Sequence, residues 1–324
     1  MSKCKGCGVN LQNTDSKALG YVKDLDKELC ERCFRIRNYN EYSMVSKSNE
    51  DYISILKEAS KSNDLVILVV DLFNISENIK EIFKYLNNNV LLVLTKRDIL
   101  PKSCYDDKFI EYFSDYNVID TVIVSSMNNY NFDLLYSKIN KYKKGKNVYI
   151  VGFTNSGKST LINKLIYNYS DINSYITTSN LPNTTIDSIE IKLNEDLVLI
   201  DTPGLVSSGD MINYIDGNTL KRVIPNKEIK PITYQVKTLE TIYISDLVRL
   251  VLSNNNITIY VSNNLNIERK YKEDINDLKL HVIDVEPDTD IVIEGLGFIK
   301  FTKSETVRIY TLDGVNIYKR KSLI

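Results

Sequence analysis

One stretch constrains this chain more than any other: Asn147 to Asn168, which reads NVYIVG, FTNSGKST and LINKLIYN in succession. An apolar strand ends at Gly152, a loop of small residues follows, and a helix begins near Lys158. The loop carries the full spacing Gly152-x4-Gly157-Lys158-Ser159 of a phosphate-binding loop. Glycines let successive backbone N–H groups turn inward toward an anion. The helix start adds unpaired donors and a positive dipole end. Lys158 is placed to reach the β and γ phosphates, and the Ser159 hydroxyl to complete the coordination of Mg²⁺. Asn155, Ser156, Gly157 and Thr160 complete the set expected around the phosphates. A plain glycine-rich turn is the alternative; a strand before and a helix after both argue against it. The chain is expected to bind a nucleoside triphosphate.

At 324 residues the chain has length for two or three domains with their own cores. A net charge of −1 gives no overall electrostatic preference, so any RNA-binding surface must be local. The longest apolar runs, Leu65–Val70 and Val90–Leu94, are strand-sized and too short to span a bilayer. No export or transit peptide is legible, because cysteines at metal spacing begin at Cys4. A cytoplasmic protein, monomeric and without membrane contact, is expected.

Four cysteines pair as Cys4-x2-Cys7 and Cys30-x2-Cys33, a pattern suited to one tetrahedral Zn²⁺. Zinc ligation contributes about 10–16 kcal/mol in small finger peptides, enough to fold a segment with little core. A pair of disulfides fits poorly with a chain lacking an export signal. A redox pair fits poorly without a surrounding βαβ pattern. The expected domain is 1–42. Arg32, Arg35, Arg37 and Tyr39 follow it, and an RNA-facing turn and a solvated one are both open. Cys104 stands alone in what reads as a polar loop, and is expected to be inert.

From Asn63 strands and helices alternate. Leu65–Asp71 reads as a strand, Ser76–Leu86 as a helix, Val90–Leu94 as a strand, Asp106–Phe113 as a helix, Val118–Val124 as a strand and Phe132–Lys141 as a helix. Beyond the phosphate loop, Ile186–Leu193 and Leu197–Ile200 read as strands. Six strands interleaved with helices predict an open α/β sheet, with ligands at the carboxyl ends of its strands. Polar signatures sit at those ends. Thr95-Lys96-Arg97-Asp98 follows one buried strand. The Asp98 carboxylate can accept from guanine N1–H and N2–H2, donors adenine does not present, so an adenine-specific pocket is disfavoured. Lys96 would lie along the base and steady the phosphate loop. Ser125-Ser126 would offer backbone donors to guanine O6. Asp201-x-x-Gly204 ends another buried strand, with Asp201 on the Mg²⁺ side and the Gly204 N–H toward the γ-phosphate. In the loop Asn183-Thr184-Thr185, Thr185 is preferred as the threonine that binds Mg²⁺ when triphosphate is present.

These signatures resemble a GTPase whose order is circularly permuted, with the guanine motifs ahead of the phosphate loop. With the Cys4/Cys7/Cys30/Cys33 cluster and the following CFRIRNYN, the chain resembles the YqeH family of ribosome-assembly GTPases. The resemblance implies GTP/GDP binding, GTP hydrolysis, and maturation of the small ribosomal subunit through contact with that subunit and its rRNA. Two positions depart from the family pattern: Thr95 stands for the usual Asn, and Asn183 where Gly often precedes the threonines. Leu205 occupies the place of the water-orienting glutamine. Asn155 matches the asparagine with which such GTPases hold K⁺, so slow, K⁺-stimulated turnover is expected. Lys158, Thr185, Gly204 and Asn155 form the catalytic set. A nucleotide-dependent RNA-binding scaffold with negligible turnover is the alternative.

The expected fold is thus α/β: a permuted P-loop G domain over 48–209, after the zinc domain and before a β-rich domain over 210–324. Short alternating segments from Ile232 to Tyr318 support the last, although Leu247–Leu252 could be helical. Lys300, Lys303, Arg308, Lys319, Arg320 and Lys321 make its end basic, open to RNA or to solvent alone. His281, the one histidine, is expected to be a packed strand residue.

Overall fold

The computed structural model describes residues 4, 10–14, 20–31, 49–75, 78–86, 89–170, 176–177, 189–202, 204–271 and 277–324. The described chain divides into two compact units. Helices in chain order are α1 (Asn49–Lys61), α2 (Ile79–Phe83), α3 (Asp106–Tyr112), α4 (Phe132–Tyr142), α5 (Lys158–Tyr169) and α6 (Gly217–Val223). None of the described helices is long and apolar enough to cross a membrane.

The first unit (Met1–Asp71, Lys80–Arg97 and Tyr116–Val206) is built on one seven-stranded sheet. Its strands are β1 (Leu65–Asp71), β2 (Val90–Thr95), β3 (Asp120–Ile123), β4 (Asn147–Gly152), β5 (Ile176–Thr177), β6 (Ile189–Asn194) and β7 (Leu197–Asp201). Their spatial order is β3-β2-β1-β4-β7-β6-β5. β3, β2, β1, β4 and β7 run parallel, while β6 and β5 join antiparallel. Continuous apolar runs make β1 and β2 buried almost throughout, as strands covered on both faces must be. Ile67, Val93, Val148 and Ile150 of the sheet pack with Leu135 and Ile139 of α4 and Leu161 and Leu165 of α5.

The second unit contains Leu72–Ile79, Asp98–Asp115 and Ser207–Ile324. Its strands are β8 (Ile232–Val236), β9 (Glu240–Ile244), β10 (Val248–Leu252), β11 (Asn255–Val261), β12 (Ile267–Lys270), β13 (Lys279–Val285), β14 (Thr289–Ile293), β15 (Gly297–Phe301), β16 (Glu305–Thr311) and β17 (Ile317–Lys321). They form two antiparallel five-stranded sheets, β12-β9-β10-β16-β13 and β17-β14-β15-β11-β8, around one core that includes Leu250, Ile259, Ile291, Phe301 and Ile309. The region over 247–252, which the sequence left open to helix, is strand, because Val248–Leu252 pairs on both edges with β9 and β16.

Other expectations change for similar reasons. Among the described residues of the helix expected over Ser76–Leu86, only Ile79–Phe83 is helix, and Ile75 and Asn78 ahead of it belong to the second unit. There the Arg320 guanidinium donates to the Ile75 carbonyl at 2.9 Å, and Asn78 Nδ2 to the Tyr318 hydroxyl at 2.7 Å. Arg320 is therefore not part of a basic surface: it is buried, 3.3 Å from Asp290 and stacked on Phe298. Cys104 is buried rather than set in a polar loop.

Candidate functional site

In the first unit β4 delivers the chain into the phosphate loop and α5 receives it. Gly157, the residue before α5, has φ +91°. A Cβ there would stand 3.2 Å from Thr95 Oγ1, so the position needs glycine for both conformation and space. Gly152 is pressed more closely still, since a Cβ would meet the Val69 carbonyl oxygen at 2.4 Å. Asn155 is exposed with φ +60°, a left-handed conformation asparagine tolerates better than most residues. Ser156 is buried, and its hydroxyl donates to the Phe153 carbonyl at 2.8 Å. Ser159 and Thr160 lie in the first turn of α5.

Lys158 is 4% exposed. Its ammonium donates to the carbonyls of Thr202 at 3.1 Å and Gly152 at 3.3 Å. Burial pushes the Lys158 pKa down to about 8, with the Asp201 charge opposing the shift. A cation held by carbonyl oxygens and short of solvation is suited to a polyphosphate.

The base-side strand is tied to this loop. Thr95 Oγ1, at the end of β2, donates to the Ser156 carbonyl at 2.5 Å, with the Val70 carbonyl 3.3 Å away. Threonine in place of the usual Asn thus still supplies, through its hydroxyl, a tether from the end of β2 to the loop. Lys96 has φ +61°, and its ammonium pairs with Asp71 Oδ2 at 2.7 Å. Sequence reasoning missed Asp71. The signal was a carboxylate ending an otherwise apolar strand, in register opposite Thr95. Asp98 follows in the 3-10 turn Arg97–Ile99 and opens a segment of the second unit.

Asp201 is buried at the end of β7. Thr202 Oγ1 donates to the Ile150 carbonyl at 2.8 Å. Gly204 lies so near the loop that a Cβ would come 3.0 Å from Thr154 N. Leu205 spends its backbone on the same loop: its N–H donates to the Gly152 carbonyl at 3.1 Å and its carbonyl accepts from Thr154 N–H at 2.9 Å. The position after DxxG thus splices that segment onto the phosphate loop.

Ser125 is buried in a tight loop closed by mutual bonds with Tyr130, and its hydroxyl accepts from Asn128 N–H at 3.2 Å. Ser126 beside it is half-buried. Asn168 of α5 donates to Asn129 Oδ1 at 2.7 Å, linking this loop to the phosphate-side helix. Thr185, Asn183, Cys7, Cys33, Arg32, Arg35, Arg37 and Tyr39 lie outside the described residues. Of the four cysteines, Cys4 and Cys30 come together: both are buried beside Leu11 and Val22, and Cys30 N–H donates to Cys4 Sγ at 3.1 Å. Among the described residues no group of three or more His, Cys, Asp or Glu is arranged to hold a metal.

Comparison with known proteins agrees with this geometry. The family described as RsgA GTPase matches residues 47–210, and that described as 50S ribosome-binding GTPase matches 147–310. The chain is 34% identical to uncharacterized protein YqeH of Bacillus subtilis (strain 168), with 99% of each chain covered. It is 25% identical to NO-associated protein 1, chloroplastic/mitochondrial, of Arabidopsis thaliana, covering 74% of this chain and 50% of that one. The solved structure of YjeQ from Thermotoga maritima is 23% identical, covers 45% of this chain and 49% of its own, and gives a TM-score of 0.33, too slight to carry an argument.

Proposed function

The chain belongs to the YqeH family of circularly permuted GTPases, and from that premise we propose that it is a slow, K⁺-stimulated GTPase switch in assembly of the small ribosomal subunit. The single observation behind this reading is the Thr95–Ser156 bond. It ties the strand carrying the base-side motif to the phosphate loop, although the two stand in reversed order along the chain. In this reading Lys158 binds the β and γ phosphates, and the Gly204 N–H meets the γ-phosphate. Ser159, Asp201 and Thr185 hold Mg²⁺, which when bound neutralises charge on the phosphate oxygens. Asp98 selects guanine, and Ser125-Ser126 supports O6. Leu205 cannot orient water, so Asn155 would instead hold K⁺ near the developing charge.

Cys4, Cys7, Cys30 and Cys33 would bind structural Zn²⁺. The Cys30 N–H donated to Cys4 Sγ supports this, because backbone donors commonly stabilise thiolate ligands in such knuckles. Zinc at one equivalent in purified protein, lost on Cys30→Ser, is the expected result. A cytoplasmic monomer is proposed.

Phosphate release decides the main reading. It is measured in K⁺ and Na⁺ buffers, alone and with isolated small or large ribosomal subunits. Stimulation by K⁺ and by small subunits is expected. Stimulation by large subunits alone would replace the subunit assignment, in line with the 50S-binding description that matches part of the chain. No release under any condition would leave the scaffold reading.

A further inference from the structure

The turn carrying Asp98 is held from far along the sequence. Asp98 opens the segment Asp98–Asp115 of the second unit, where Ile99 and Leu100 are buried. The Ile99 carbonyl accepts the Ile229 N–H at 2.9 Å, and the Lys102 N–H donates to Glu228 Oε1 at 3.2 Å. Residues 228–230 are themselves bracketed by a single amide. Asn263 Nδ2 donates to the Glu228 carbonyl at 2.9 Å, while Asn263 Oδ1 accepts the Lys230 N–H at 2.8 Å. The Ile229 side chain is buried between these two attachments. Ahead of β8, then, a short stiff segment presents one donor and one acceptor to the residues that follow Asp98.

We infer that Asn263 and Glu228 are positioning residues for base selection, holding the Asp98 turn so that one carboxylate meets both guanine donors at once. The inference rests on the reading of Asp98 given above. Two hydrogen bonds to one carboxylate fix its orientation, whereas a single bond tolerates rotation. Loosening the turn therefore costs the second bond first. Inosine lacks the 2-amino group and makes only the N1–H bond, so ITP registers the loosening less than GTP. A brace that merely stabilised the unit would weaken both nucleotides alike.

The experiment measures dissociation constants for GTP and ITP with the full chain, in the wild type and in Asn263→Ala, Glu228→Ala and Glu228→Gln. Asn263→Ala and Glu228→Ala are expected to lower the preference for GTP over ITP roughly three- to tenfold, a partial loss of the second, charge-assisted hydrogen bond, whose full loss would exceed tenfold. Glu228→Gln keeps an acceptor oxygen and is expected to retain the wild-type ratio. Both altered side chains are exposed, so folded protein is expected, and Glu228→Ala tests the idea independently of the bracket. Equal losses for GTP and ITP, or an unchanged ratio in both alanine variants, would overturn the inference. Asp98→Asn separates this from the underlying reading. If it fails to shift preference from GTP toward XTP, base reading by Asp98 is wrong. If it shifts preference while the alanine variants leave the ratio untouched, only the positioning role is wrong.

Discussion

Thr95 Oγ1 and the carbonyl oxygen of Ser156 lie 2.5 Å apart, although 61 residues of chain separate them. The hydroxyl reaches past the end of β1, which lies between β2 and β4 in the sheet. Replacing Thr95 with Val keeps the shape and removes the donor, leaving a buried carbonyl without that bond. The cost is about 1 kcal/mol, or roughly a fivefold loss of GTP and GDP affinity. Titration with a fluorescent GDP analogue checks this; unchanged affinity would mean the tether does not position the loop.

Gly157→Ala places a Cβ 3.2 Å from Thr95 Oγ1 on a backbone at φ +91°. The left-handed conformation alone costs an alanine about 1–2 kcal/mol. A lower thermal midpoint and loss of nucleotide binding are expected. Wild-type binding would show that the loop can relax around the methyl group.

Lys158 makes binding depend on pH. Burial sets its pKa at about 8 in the ligand-free protein, and a polyphosphate favours the ammonium form, raising that value in the complex. Affinity is therefore expected to be flat below about pH 8 and to fall above it, approaching tenfold per pH unit. Lys158→Arg, which stays charged, should lose this dependence. The depressed value also means that the folded protein sheds this proton before the unfolded chain, whose lysine titrates near 10.5. Stability of the ligand-free protein should accordingly gain from this group as pH rises through that interval. GDP titrations and thermal melts between pH 7 and 10 test both signs.

Asp71→Asn removes the charge facing Lys96 Nζ at 2.7 Å. The pair is partly buried, so a loss of about 0.5–1 kcal/mol is expected, seen as a severalfold higher KM for GTP. Steady-state hydrolysis should show kcat little altered, because the pair lies on the base side of the loop. A fall in kcat with KM unchanged would place Asp71 elsewhere in the mechanism.

Asn155→Gly preserves a left-handed residue in the loop and deletes the amide. If Asn155 holds K⁺, this variant should hydrolyse GTP at one rate in K⁺ and Na⁺, while the wild type is faster in K⁺. Equal wild-type rates in the two salts would remove Asn155 from the mechanism.

What the sequence by itself determined is local. The apolar runs became β1, β2 and β4, since a strand covered on both faces needs no polar alternation. The phosphate loop was legible because its function lies in backbone geometry that a few glycines dictate. Tertiary structure alone decided how single side chains are used across distance. Arg320 read as a surface cation and became a buried partner of Asp290 and Ile75. Asp71 read as the end of a strand and became the counter-charge of Lys96. Asn263 and Glu228 carried no signal at all, because a residue that braces another through a hydrogen bond is defined only once the chain between them has closed. Periodicity records which face of an element avoids water, whereas pairing between distant polar groups depends on where the whole chain brings them.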